Sequence, residues 1–164
     1  MATTPATWTC SEPAARAPLM QLAGRASKIV IAECDRTVLE LLQVRLHVAG
    51  YHPIAVRDGL GAMEVLRNIR PDAVLLELNL PDVDGFEVRR ALNGQPERLP
   101  APVLVMGRSL SAEDIRRAIG LGARDCLTKP FSGADALDRL SRMLKRQAQV
   151  PAPVAVPARP VAYC

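Results

Sequence analysis

Residues 70–87 read Arg70-Pro71-Asp72-Ala73-Val74-Leu75-Leu76-Glu77-Leu78-Asn79-Leu80-Pro81-Asp82-Val83-Asp84-Gly85-Phe86-Glu87, and they decide the fold. Pro71 cannot continue a helix, so the apolar stripe before it (Ala62, Val65, Leu66, Ile69) must end there. Ala73-Val74-Leu75-Leu76 is an uninterrupted apolar run of strand length, as expected of a strand covered on both faces. It breaks at the acid Glu77. After Gly85, Phe86, Val88, Ala91 and Leu92 recur at helical spacing. Helix, buried strand, acid and helix in that order are one repeat of a parallel α/β sheet.

The same alternation extends in both directions. Ile29-Val30-Ile31-Ala32 is a short apolar run that breaks into Glu33-Cys34-Asp35. Val38, Leu41, Leu42 and Leu46 follow at helical spacing as far as Gly50. Ile54-Ala55-Val56 is a second, shorter strand. Downstream, Val103-Leu104-Val105-Met106 is the fourth strand, and Ile115, Ala118, Ile119 and Gly122 are expected on one face of a fourth helix. A weak fifth strand at 125–127 precedes Lys129-Pro130, and Leu137, Leu140 and Leu144 stripe a last helix. Five strands alternating with five helices demand a doubly wound parallel sheet of order 2-1-3-4-5, with the site at the strands' carboxyl ends.

Length and composition agree. The 164 residues are 49% apolar and 23% charged, enough for one packed core and too few for two full-sized domains. Prolines crowd the ends, three in 1–27 and four in 148–164. Those segments are expected to be disordered tails around a domain at 28–147, the second suited to extended polyproline. A short helix near Leu19–Leu22 remains open, and Trp8 reads as part of the first tail. The net charge of +4 is by itself too mild to imply nucleic acid, and with 3% aromatics a stacking platform is hard to build. Cys10, Cys34, Cys126 and Cys164 match neither a zinc site nor a compact disulfide framework, so reduced thiols in the cytoplasm are expected. Neither a secretory signal nor a run long enough to span a membrane is present.

The residues at the carboxyl ends form an acidic pocket facing one lysine: Glu33, Cys34 and Asp35 after strand one, Glu77 after strand three, Gly107 after strand four and Lys129 after strand five. No glycine-rich phosphate loop follows the first strand, which leaves dinucleotide and nucleoside triphosphate binding unsupported. In three stretches (29–35, 70–87 and 122–131, Gly122-Ala123-Arg124-Asp125-Cys126-Leu127-Thr128-Lys129-Pro130-Phe131) the chain resembles the CheY-like receiver domain of bacterial two-component response regulators. The segments L-P-D-x-D-G-F-E and T-K-P-F are characteristic together. The resemblance implies a phosphoryl-accepting Asp ending strand three and a Mg²⁺ ion held by an Asp after strand one, by the acceptor and by a backbone carbonyl two residues on. It also implies a Thr or Ser after strand four, an aromatic switch residue on strand five, and a cis Lys129–Pro130 peptide whose bend aims Lys129 over strand three.

The chain departs from that pattern at four positions. The acceptor position is Glu77, the main metal carboxylate is replaced by Cys34, the hydroxyl position is Gly107 and the switch position is Cys126. Lys129 and the Asn79 carbonyl are retained. Sulfur is a poor ligand for Mg²⁺, and Glu77 carries its carboxylate about 1.5 Å further out than an Asp would. Misplacement of about 1 Å can cost a hundredfold in phosphoryl transfer. The expectation is a receiver that has shed phosphorylation, has no catalytic residue, metal or other cofactor, and works through protein contact. Its partner could be a histidine kinase or another signalling protein, and a homodimer is open. The alternatives are an unorthodox phosphate acceptor using Glu77 or Asp35, and a redox switch through Cys34 or Cys126. Against the second, neighbouring carboxylates oppose thiolate formation, and strands one and five are too far apart for a disulfide. Glu77 reads as a signal mimic or, preferably, as a structural ion pair with Lys129. Arg116 and Arg117 on helix four and Arg139 and Arg142 on helix five mark the expected interaction face.

Overall fold

The computed structural model describes residues 25–93 and 101–148. The elements run β1 (Lys28–Ala32), α1 (Arg36–Val48), β2 (His52–Val56), α2 (Gly59–Asn68), β3 (Ala73–Glu77), α3 (Gly85–Asn93), β4 (Val103–Gly107), α4 (Ala112–Gly120), β5 (Asp125–Thr128) and α5 (Gly133–Ala148). The five strands are parallel in the order β2-β1-β3-β4-β5. Both the alternation and the strand order match the sequence expectation. Strands β1, β2 and β5 are each longer than read, and α5 extends to Ala148, one residue past the expected domain end. The stretch Leu19–Leu22, where a short helix was left open, Trp8, Cys10, Cys164 and nearly all of both expected tails lie outside the described residues.

Strand periodicity builds two cores. Ile29, Ile31, Ala73, Leu75, Leu104 and Met106 face Leu39, Leu42 and Leu46 of α1 and Ala136, Leu140 and Met143 of α5. Val30, Ala32, Val74, Leu76, Val103 and Val105 face Ala62, Leu66, Phe86, Val88, Leu92 and Ala118 of α2, α3 and α4. All five residues of β3 and of β4 are buried, as central strands of a covered sheet must be. Two helix stripes differ from expectation. In α1 the inward leucines are Leu39, Leu42 and Leu46, while Leu41 is 37% exposed. In α4 only Ala118 is buried, and Ile119 is 56% exposed.

The sheet is closed at its carboxyl end by caps that also shape the site. Asp35 accepts hydrogen bonds from the Thr37 and Val38 amides and starts α1. Ser111 and Asp114 form a reciprocal capping box at α4. Gly85 admits α3 close to β3: a Cβ there would press on the Glu77 carbonyl oxygen and lie 2.9 Å from Leu78 Cα. Among the described residues, no helix is long and apolar enough to cross a membrane.

Candidate functional site

Residues 29, 31 and 33 project to the same side of the sheet as 73, 75 and 77. Because Ile29 pairs with Ala73 and Ile31 with Leu75, continuing the register sets Glu33 beside Glu77. Both carboxylates are buried, Glu33 fully and Glu77 all but 2%. The Lys129 ammonium lies between them, 2.6 Å from Glu33 Oε2 and in ion-pair contact with Glu77 Oε2. Each outer oxygen is also engaged: Glu33 Oε1 accepts from the Asp35 amide at 2.9 Å, and Glu77 Oε1 from the Asn79 amide at 3.0 Å. The expected Lys129–Glu77 pair is present. Glu33, expected among the acids facing the lysine, is the second partner, as its parity along β1 requires.

The remaining expected site residues converge on the same place. The Lys129–Pro130 peptide is cis, and the Lys129 amide donates to the Gly107 carbonyl at 2.8 Å. The Cys34 thiol donates to the Asn79 carbonyl at 3.4 Å. Asp35 caps α1 and pairs with Arg108 at 3.1 Å, a contact between loops 73 residues apart that the sequence did not announce. Gly107 leaves a space that Leu110 enters: a Cβ would lie 2.6 Å from Leu110 Cδ2 and 3.6 Å from Glu77 Oε1. Cys34 and Cys126 are both free thiols.

Electrostatics follow from these contacts. Burial alone would push the Lys129 ammonium down, but the two carboxylates against it outweigh burial and raise it above the usual 10.5. Asp35 is held below the usual carboxyl value, first by the Val38 amide and then, against some desolvation, by the Thr37 amide, Arg108 and Lys129. Burial, with Asp125 adding to it, pushes the Cys126 thiol up, which disfavours the thiolate needed for redox chemistry.

The resemblance gives Mg²⁺ to this pocket, and the residues do not fit it. The ion demands hard oxygen ligands in near-octahedral array. Here the inner oxygens of Glu33 and Glu77 are on the ammonium, their outer oxygens are on backbone amides, and the Asn79 carbonyl faces a thiol. Among the described residues, no group of three or more His, Cys, Asp or Glu is arranged to hold a metal ion.

Three of the four arginines on the expected interaction face have partners within the chain. Arg139 binds both Asp125 oxygens at 2.9 and 2.7 Å, and Arg142 pairs with Asp138 at 2.6 Å. Arg117 stacks over Phe86, 4.1 Å from the ring centroid, which directs it toward α3. Arg116 is exposed. On α3, Arg89 donates to the Gly122 carbonyl and to Asn93, which itself donates to the Leu121 carbonyl. These bonds hold the end of α4 against α3, and sequence periodicity gave no sign of them.

The chain is similar to known proteins over this whole unit. It is 38% identical to the response regulator MprA of Mycobacterium sp. (strain KMS) over 121 residues, 73% of this chain and 51% of that protein. It thus spans about half the length of the curated relatives it matches. Among solved structures it is similar to the receiver domain of a signal transduction histidine kinase from Syntrophus aciditrophicus (30% identity, TM-score 0.69, 80% of this chain and 100% of that one). It is also similar to the receiver domain of sensor histidine kinase PA1611 from Pseudomonas aeruginosa, whose structure has a magnesium ion coordinated in the active site cleft (25% identity, TM-score 0.67, 73% and 98%). With the receiver-domain family model matching residues 29–141 and the five-stranded fold and carboxyl-end pocket in place, the chain belongs to the response regulator receiver domain family.

Proposed function

We propose that this receiver domain works without phosphorylation, as a pseudo-receiver that signals through protein contact in a bacterial two-component system. The observation that carries the proposal is the state of the pocket: Lys129 is already shared by Glu33 and Glu77, and the Cys34 thiol occupies the Asn79 carbonyl. Phosphoryl transfer needs a metal and a free lysine arranged around an in-line attack, and here internal contacts stand in the place of both. Asp35 is no substitute acceptor, because its oxygens cap α1 and bind Arg108. The domain on this reading is not an enzyme and uses no Mg²⁺ or other cofactor. It resides in the cytoplasm and offers the α4–β5–α5 face, with Arg116 as its uncommitted cation, to a histidine kinase, another signalling protein or a second copy. Nucleic acid and membrane are not partners.

The test is incubation with a small phosphodonor and Mg²⁺, read by intact-mass spectrometry. The expected result is an unchanged mass. A stoichiometric phosphoryl adduct labile at alkaline pH would overturn the proposal.

A further inference from the structure

Between Gly107, which ends β4, and Ala112, which starts α4, run Arg108, Ser109, Leu110 and Ser111. How α4 sits against the sheet depends on what holds these residues. Ser111 is engaged by Asp114 of α4 itself, so the capping box starts the helix without tying it to the sheet. Arg108 reaches Asp35, but the two side chains are 75% and 29% exposed, and exposed pairs hold weakly. Leu110 is the loop's one apolar side chain, and it packs against the core under α2, α3 and α4. The helix buries only Ala118, and the turn after it is tied to α3 by Arg89 and Asn93. Its start therefore rests on Leu110.

The Leu110 side chain stands where residue 107 would carry its own. Gly107 is buried, and a Cβ on it would lie 2.6 Å from Leu110 Cδ2 and 3.3 Å from its Cγ, with Glu77 Oε1 next at 3.6 Å. These neighbours are all side-chain atoms, and the positive-φ glycines are Gly50 and Gly122. Backbone conformation thus does not call for glycine at 107; the fit to Leu110 does. Cys126 on β5 packs against the same core and carries no ring that could turn. Of the two positions through which the resemblance lets a receiver move α4, one is filled by Leu110 and the other holds a thiol.

We infer that Leu110 is the positioning residue of the α4–β5–α5 face: its methyl group takes the place of a residue-107 side chain beside Glu77 and pins the start of α4, so the face keeps one arrangement whatever happens in the pocket. The consequence for signalling rests on the phosphorylation-independent reading of this domain. A partner then meets a preformed surface and loses no affinity to an unfavourable conformational equilibrium.

The test is NMR relaxation dispersion on the full chain, which reads microsecond-to-millisecond exchange. The parent is expected to give flat profiles over residues 108–120. Leu110→Ala should bring dispersion there while amides of β1 and β3 stay flat, and Leu110→Met, which keeps the apolar volume, should stay flat throughout. Gly107→Ala should displace the Leu110 methyl signals and bring the same dispersion. In the Leu110→Ala background it should change nothing further, because two groups competing for one space are not additive. Dispersion over 108–120 in the parent, flat profiles in Leu110→Ala, or equal dispersion in Leu110→Met and Leu110→Ala would overturn the inference. A Gly107→Ala effect of the same size in both backgrounds would equally refute it. The phosphodonor assay is independent: a phosphoryl adduct on the parent would sink the phosphorylation-independent reading and leave the coupling of residues 107 and 110 as it stands.

Discussion

Replacing Lys129 by Met removes the one cation that Glu33 and Glu77 share, leaving the rest of the pocket in place. The two carboxylates are 0% and 2% exposed and the lysine side chain 10%, so water cannot take over the role of the ammonium. Removing one partner of a buried ion pair costs about 3–5 kcal/mol, because the other charge is left uncompensated. Here two charges are left side by side, so the upper half of that range is expected. For a domain of this size the loss lowers Tm by about 10–20 °C. Urea unfolding of parent and variant, with equal m-values, measures it. The triple variant Lys129→Met/Glu33→Gln/Glu77→Gln removes all three charges while keeping shape and both amide-accepting oxygens, and it should regain at least half of the loss. A loss under about 1 kcal/mol for Lys129→Met alone would refute the reasoning, since an isolated buried pair of carboxylates cannot be that cheap.

Because Glu33 and Glu77 hold the Lys129 ammonium above its unfolded value of 10.5, the stability it contributes is complete below that pH and lost as pH rises through the higher folded value. Urea midpoints between neutral pH and the alkaline range should show this limb in the parent and a shallower one in Lys129→Met. Millimolar Mg²⁺ should leave backbone amide signals around Glu33, Glu77 and Asn79 unmoved, whereas Cys34→Asp/Glu77→Asp should gain saturable shifts there. Gly85→Ala should destabilise by about 2–4 kcal/mol in thermal unfolding, because its Cβ meets β3 backbone at Glu77 and Leu78 that no rotamer can relieve.

Strand order and the residues of the pocket were legible in the sequence because both rest on short-range signals. A buried parallel strand is an apolar run, and the residue that ends it lies at the carboxyl edge. What stayed hidden depends on phase or on loop approach. In α1, leucines at 39, 41, 42 and 46 allow two overlapping stripes, and only packing against β1 and α5 selects Leu39 over Leu41. The Glu33–Lys129 pair was readable in principle from strand parity. The Arg108–Asp35 pair was not, since it joins two loops whose approach is set by the whole sheet. The intrachain partners of the basic face, such as Asp125 and Asp138, were not legible either, because net charge per helix says nothing of local pairing.

The Cys34 thiol and the shared Lys129 together balance the charge of the pocket, and a single reversion at Cys34 exposes that balance. A pocket with carboxylates at positions 33, 34 and 77 and one lysine carries more negative charge than the lysine can balance, which is the condition under which a divalent cation binds. With a thiol at 34, the count falls to two carboxylates and Lys129 reaches both, while the thiol proton satisfies the Asn79 carbonyl. Cys34→Asp alone therefore restores a charge without freeing a site for its counter-ion. The new carboxylate faces a carbonyl oxygen, acceptor against acceptor, and lies beside two acids whose lysine is already committed. In metal-free buffer this variant should be less stable than the parent by about 1–2 kcal/mol, a partly exposed position keeping the loss modest. Raising the salt concentration should narrow the difference, since part of it is repulsion between charges near solvent. If Cys34→Asp were instead as stable as the parent in low salt without metal, the thiol would be a neutral occupant of its position with no part in the charge balance of the pocket.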